Sequence, residues 1–413
     1  MNNQTNHPSP PPETDWPIVF ACIFCGVIGS MHLNKVIPAI PFLRESMQLS
    51  MVASGWVMSV FSLSTIFLAF LSGVIADRFG ARRIIITGLI CLMLGSALGW
   101  TACNRSFTAL MVSRVIEGFG FSFIAVSGPV LIVQAAAEAN RRLALGLWTT
   151  YMPTGVVFVL LAAPAVFHLA AWPNLWLLVL VVSLSGVFIF FGITRSRDVV
   201  SVQQIGISPS VRHDIQVTFS SPGPWLLALV MGLFTMQNNT IWTWAPSYFI
   251  EKQSFSVTAA TLASIMLPLI NIVGSAIGGV LLHRGVAGWL ILSCSSAGMF
   301  FFTFGMFSLY LPDGLRLLFL LAHTSIAPLI PPSIFALAPV CAPSLRQLAA
   351  TNGMVISGAS LGIFLGPPAI AAVVSYIGNW HSSAFFLCAC AMAATALSLN
   401  LRRIEERARQ HPS

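Results

Sequence analysis

Runs of about 20 apolar residues recur along the whole chain, and nearly every charged residue falls between them. At a rise of about 1.5 Å per residue, such a run crosses the hydrocarbon of a bilayer as a helix. The expected spans are 17–40, 51–76, 83–102, 107–136, 143–168, 173–194, 224–250, 256–282, 287–309, 314–341, 348–377 and 380–400. Several exceed the minimum, which implies tilt or ends that project into water. Only 8% of the residues are charged, against about 25% in soluble domains. Such a chain cannot clothe a water-facing surface, so lipid is its main solvent. The 30 Phe and 11 Trp suit lipid-facing and interfacial positions.

Most connections are a few residues long. The stretch 195–221 is polar and too long for the usual connection, and it divides the chain into two sets of six helices. The expected organisation is a disordered cytoplasmic tail (1–16), a six-helix bundle (17–194), a cytoplasmic linker (195–222), a second six-helix bundle (223–401) and a tail (402–413). The first tail carries Pro8, Pro10, Pro11 and Pro12 and lacks the basic region of a secretory signal. With both termini in the cytoplasm, fourteen Lys and Arg fall on the cytoplasmic side and four on the other. Lys35 and Arg114 remain inside spans. That asymmetry sets the orientation. The net charge of +8 does not imply nucleic acid, because the basic residues sit in short loops and form no solvated face.

The two sets echo each other. The segment from Gly73 through Asp77, Arg78 and Phe79 to Gly80 closes the second span. Gly279 through His283 and Arg284 to Gly285 closes the eighth, one residue shorter and with histidine for the acid. Gly73 and Gly80 permit close helix approach and a tight turn. Asp77 can pair with nearby arginines or face a helix N-terminus.

The segment 73–83, GVIADRFGARR, resembles the signature loop between helices 2 and 3 of the major facilitator superfamily, G-x-x-x-D-[RK]-x-G-[RK]-[RK]-[RK]. Ala81 departs from the first trailing basic position. Arg114 with Gly118 resembles the R-x-x-x-G element of helix 4. Gly146, Trp148, Pro153, Gly155, Asn352, Gly353 and the run Gly366, Pro367, Pro368 look loosely like bacterial members of the cyanate-permease type. The resemblance implies a twelve-helix, all-α integral membrane fold in two pseudo-symmetric halves related about the membrane normal. It also implies a conformational latch at Gly73, Asp77, Arg78, Gly80 and Arg82.

Ionisable groups inside spans carry the most information. An unpaired charge at the centre of a spanning helix costs about 2.5–3.5 kcal/mol on insertion scales. Lys35 in the first span and Arg114 and Glu117 in the fourth therefore face partners or a water-filled cavity. His32 and Lys35 share a helix face, as do Arg114 and Glu117. In the family that this chain resembles, helices 1 and 4 line the central cavity. Two cations and one carboxylate there leave about one positive charge in excess, a balance that favours an anionic solute. Pairing of Arg114 with Glu117, or Lys35 reaching to the interface, are the competing structural roles. Glu117 is the expected proton-coupling group, with His32 and His323 as the next choices.

The seventh span carries Gln237, Asn238, Asn239, Thr240 and Trp242, which face protein or water because lipid offers them no partner. Gln237, Asn238 and Trp242, together with Tyr151, Asn271, His32, Lys35, Arg114 and His323, make up the expected solute-binding set. Pro153, Pro268, Pro328, Pro331 and Pro332 interrupt backbone bonding within spans.

No phosphate loop, H-E-x-x-H or G-x-S-x-G motif occurs, which argues against an ATP-driven pump or an enzyme. Cys22 and Cys25 have metal-like spacing without a second pair, and neither a metal nor a cofactor is expected. The reading is a monomeric, proton-coupled secondary transporter of a small organic or inorganic anion in a bacterial inner membrane. A proton-coupled exporter of drugs, siderophores or other amphipathic compounds is the alternative, and an intramembrane enzyme or sensor the more distant one.

Overall fold

The structure is a computed structural model that describes residues 13–103, 105–195, 211–344 and 347–410; the side chains of 68–79, 138–139, 141–143, 211–215, 252–253, 283, 348–349 and 408–410 lie outside that description. Every regular element among the described residues is a helix. The first half comprises α1 (Trp16–Asn34) and α2 (Val36–Ser46) as one broken span, then α3 (Met51–Phe79), α4 (Ala81–Ala102) and α5 (Phe107–Ala135). A second broken span, α6 (Glu138–Trp148) and α7 (Tyr151–Leu169), precedes α8 (Asn174–Arg195). A short helix α9 (Val211–Ser220) lies in the expected linker. The second half comprises α10 (Pro222–Gln253), α11 (Val257–Ser264) with α12 (Met266–His283), and α13 (Gly288–Met306). It ends with α14 (Asp313–Ile326) joined to α15 (Ile330–Cys341), α16 (Leu348–Ile377) and α17 (Ser383–Gln410). Ten spans among the described residues are long and apolar enough to cross a membrane, and Met51–Phe67 is a shorter apolar helix. The polar-centred α10 completes a twelve-helix arrangement.

Four spans are broken, and proline sets where. A proline ring cannot donate its own hydrogen bond and collides with the carbonyl four residues earlier. Asn34 ends α1 four residues before Pro38, and Ser264 ends α11 four before Pro268. Thr149 follows α6 four before Pro153. Ala327 opens a one-turn helix four before Pro331. Other prolines sit inside unbroken helices, Pro367 and Pro368 in α16 among them. There the carbonyl freed by Pro367, that of Ile363, accepts from Ser59 Oγ of α3 at 3.4 Å. A neighbouring helix thus restores what the ring removed.

The halves meet along α3 and α16. Gly55 lies against the Pro368 backbone, Trp56 packs edge-on to Phe364 at 5.2 Å, and Ser357 Oγ donates to Ile66 O at 3.1 Å. At the end where α2 finishes, Arg44 Nη1 faces Glu251 Oε1 at 3.7 Å across the halves. At the opposite end Gly80 and Gly285 both adopt positive φ, 86° and 85°, so each of the echoed motifs ends at a backbone conformation that favours glycine.

Some residues in both expected tails make defined contacts. Asp15 caps α1 by accepting from Ile18 N at 3.3 Å, and its own amide donates to Ala135 O at 2.9 Å. Thr14 Oγ1 accepts from Ala137 N at 3.0 Å. Residues from Thr14 are therefore held against the end of α5. At the other terminus α17 runs on to Gln410 rather than stopping at 402. The charged turn pays its way through Arg402 and Glu406, paired at 2.7 Å, and through Glu405, whose carboxylate accepts from Gly288 N and Trp289 N at 3.1 and 2.8 Å. Those amides are first-turn donors of α13 with no partner inside their own helix. Replacing Glu405 with Ala is expected to lower stability by about 1 kcal/mol, read as a lower melting temperature of the purified protein. Glu405→Gln, which keeps an acceptor, should lose less; equal melting of Ala and wild type would remove the cap from the account.

Candidate functional site

The break after α1 leaves that helix ending in the bundle interior, with carbonyl oxygens and the negative end of its dipole among buried residues. Arg114 of α5 covers it. Its Nη1 donates to His32 O at 2.6 Å and Nη2 to Leu33 O at 2.8 Å, while Nε reaches Val57 O of α3 at 3.3 Å. The guanidinium also lies 4.8 Å from the Phe61 ring centroid. A planar fork of donors suits this junction in a way that an ammonium would not.

Glu117, one turn along the same face, neutralises it. Glu117 Oε2 accepts from Arg114 Nη1 at 2.5 Å, and Oε1 accepts from Lys35 Nζ at 2.5 Å. Lys35 donates also to Ser96 Oγ of α4 at 2.7 Å and lies 5.1 Å from the Trp176 ring of α8. Ser96 Oγ in turn donates a hydrogen bond to Trp176 O at 2.8 Å. The side chains of His32, Lys35, Arg114 and Glu117 have no exposed surface. Two glycines make the room: a Cβ on Gly95 would meet Glu117 Cγ at 2.5 Å, and one on Gly118 would collide with the Phe61 carbonyl.

His32 occupies the remaining side of the carboxylate. Its Nε2 is 2.7 Å from Ser183 Oγ, and Ser183 donates its hydroxyl proton to Val179 O at 2.8 Å. Nε2 is therefore the protonated nitrogen, assigned from its partner's role. Nδ1 is 3.2 Å from Glu117 Oε1 and 3.4 Å from Lys35 Nζ. Unprotonated, Nδ1 accepts from the Lys35 ammonium; with one more proton it donates to Glu117 Oε1. With Lys35, Arg114 and Glu117 ionised and His32 neutral, the quartet carries a formal charge of +1; with that proton it carries +2.

This geometry corrects one expectation. Lys35 and Arg114 do not present free charge to a cavity between the halves, nor does Lys35 reach the interface. Both are bound to Glu117 and face α3, α4 and α8, where a shared carboxylate, a hydroxyl and broken-helix carbonyls satisfy their charge. Ser96, Ser183 and Trp176 complete the site and were not expected. Serines are common in spanning helices, where they bond their own preceding carbonyls, so nothing in the sequence marks these two out.

The other expected residues lie elsewhere. Tyr151, at the start of α7, packs on Trp148 at 4.5 Å and on Phe121 at 6.3 Å. In the second half Asn271 Nδ2 approaches Asn238 Oδ1 at 3.5 Å, and Gln237 Nε2 donates to Leu233 O at 3.2 Å. Gln237 Oε1, Trp242 Nε1 and His323 Nε2 are buried without a hydrogen-bond partner among the described residues. Buried polar atoms are rarely left so, and these three are the places where a solute or water would complete the bonding. Of the latch residues, the side chains of Gly73, Asp77 and Arg78 lie outside the described residues. Gly80 makes the turn, and Arg82 stands over the Phe191 ring at 5.6 Å.

Comparison with known proteins follows the same outline. The family model described as Major Facilitator Superfamily matches residues 19–346. A hexuronate transporter of Bacillus subtilis (strain 168) is 22% identical over 271 residues, 64% of this chain and 63% of that protein. A probable sulfoacetate transporter of Cupriavidus necator is 28% identical over 268 residues, 60% of each. The matched regions thus span just under two thirds of these relatives. The solved structure of a proton:xylose symporter superposes with a TM-score of 0.74 at 14% identity, covering 94% of this chain and 95% of that one.

Removing the carboxylate alone strands two cations. Glu117→Gln is expected to cost about 3–5 kcal/mol, and adding Lys35→Met should recover part of that loss. Melting of the purified single and double variants checks it; a double variant that melts no higher than Glu117→Gln would show that Lys35 does not depend on the carboxylate.

Proposed function

Because the chain belongs to the major facilitator superfamily, we propose that it is a secondary active transporter that carries a small organic anion with protons across a bacterial inner membrane. The two six-helix bundles, 17–194 and 223–401, rock about a site between them. The Gly80 end and both termini face the cytoplasm, a placement that the distribution of Arg and Lys supports. The Gly73 to Gly80 segment, with Asp77, Arg78 and Arg82, serves as the latch at that end.

One observation carries the coupling: the contact of His32 Nδ1 with Glu117 Oε1, which accommodates one proton beside two fixed cations. Taking up that proton raises the formal charge of the quartet from +1 to +2. At an effective dielectric of about 20, one added charge about 10 Å from an anion contributes about 1.7 kcal/mol, more than tenfold in affinity. By linkage the bound anion favours proton uptake to the same degree. His32, Lys35 and Arg114 thus act on the solute through their field. Gln237, Asn238, Trp242, Asn271, His323 and Tyr151 supply direct contacts from the facing helices. The names of two relatives, a hexuronate transporter and a probable sulfoacetate transporter, support an organic acid as cargo.

The test is uptake of labelled glucuronate, sulfoacetate and xylose into proteoliposomes under an imposed proton gradient. Accumulation of one or both acids, lost on adding an uncoupler, is expected; xylose uptake without acid uptake would overturn the anion reading. Glucuronate or sulfoacetate affinity should rise as pH falls. In Glu117→Gln, accumulation against a gradient should disappear while exchange of internal for external solute persists. Undiminished gradient-driven accumulation in that variant would exclude Glu117 as the proton carrier.

A further inference from the structure

A second pocket lies inside the second half, at the Arg44 end of the molecule. It is lined by α10, Met306 and Phe307 at the end of α13, α14, Ile370 of α16, Trp380 and the first turns of α17. All of its lining residues belong to the second half.

The pocket has a graded lining. Asp313 and Arg316 stand among its lining residues as an ion pair at 3.0 Å, with Asp313 largely exposed. Arg316 also donates to Ser308 O and Leu309 O at 2.8 and 3.1 Å. The walls are aromatic: Trp244, Tyr248, Phe249 and Trp380, with Tyr248 edge-on to Trp380 at 5.9 Å. Thr240 and Ser383, 2% and 1% exposed, also line it, and the hydroxyl of each is buried without a hydrogen-bond partner among the described residues. Two such hydroxyls in an otherwise apolar lining mark positions where a guest's polar atom completes the bonding.

From this lining we infer that the pocket is a ligand site for a neutral, mainly aromatic molecule bearing at least one hydroxyl, and that its occupant steadies the contacts between the halves at the Arg44 end. Neutrality follows from the charges. The Asp313 and Arg316 pair cancels, and no other lining residue carries a formal charge at neutral pH. An ionic guest would leave its charge among aromatic walls without a counter-ion. The aromatic walls offer stacking and edge contacts, and the Thr240 and Ser383 hydroxyls accept or donate to the guest's own.

The steadying effect follows from what the walls hold. Trp380 Nε1 donates to Glu251 Oε2 at 3.1 Å, and Glu251 Oε1 faces Arg44 of the first half at 3.7 Å. Trp244 Nε1 donates to Pro367 O at 3.1 Å, beside the Pro368 backbone that packs on Gly55. Both indoles thus connect the pocket to contacts that join the halves. A guest that fills the space between them restrains each contact.

Tritiated 1-naphthol, a neutral aromatic alcohol, is the probe. Its binding to the full chain in lipid nanodiscs is measured by equilibrium dialysis, with empty discs subtracted. Saturable binding near one per chain is expected. The pair Thr240→Val with Ser383→Ala should weaken it about tenfold, and naphthalene, which lacks the hydroxyl, should compete poorly. Leu317→Trp, placed on an exposed lining residue, should block entry without disturbing the buried walls. Bound 1-naphthol should also slow amide exchange in α2 and at the end of α10. No saturable binding above empty discs, or binding unchanged by both sets of substitutions, would overturn the site; unchanged amide exchange would overturn the steadying.

Discussion

Glu117 holds Arg114 on one oxygen and Lys35 on the other, with none of the three side chains exposed, and much of the first half is arranged around that fact. The carboxylate stands on α5, Lys35 at the break between α1 and α2, and the further partners on α3, α4 and α8. Five spans are therefore tied through one buried anion. In a bilayer interior, where a lone charge is costly and a polar group has no solvent to turn to, such a knot restricts which helices can neighbour one another. It need not add net stability, since desolvating the ions offsets much of their attraction. What it supplies is a specific arrangement that can change by a single proton.

The proline breaks make the knot possible. An unbroken first span would bind its own carbonyls at His32 and Leu33 and leave Arg114 without its acceptors. Pro38 ends α1 at Asn34, and Arg114 takes the carbonyls just before that end. The breaks near Pro153, Pro268 and Pro331 stand in other spans of both halves, while Pro367 and Pro368 run through α16 without a break where Ser59 answers the freed carbonyl. A proline in a membrane helix thus breaks it or leaves it whole depending on what the neighbouring helix can donate.

Much of the fold was legible in the residues. Apolar runs of bilayer length, the polar stretch 195–221 and the echo of Gly73 to Gly80 in Gly279 to Gly285 pointed to two sets of six helices. The site was legible in part. The spacing of His32 with Lys35 and of Arg114 with Glu117 gave two faces, and the cost of buried charge gave a reason for the faces to meet. It did not say in which direction they would look. The guess of a cation turned to the lumen failed because the serines on α4 and α8 that complete the knot look like any other serine in a spanning helix. The pocket walled by Trp244 and Trp380 was equally invisible, since its residues come from widely separated stretches of the chain.

By itself the sequence determined the solvent, the number of crossings and the kinds of charge that had to be buried, because hydrophobic length and the cost of desolvation depend on residues taken in order. The tertiary structure decided which carboxylate oxygen meets which cation, which face of α5 turns to α3, and which carbonyls a proline leaves for another helix to use. Those outcomes depend on distances of a few ångströms between segments far apart in the chain. Hydrogen bonds and ion pairs fall away steeply over such distances, so only the packed arrangement of helices could settle them.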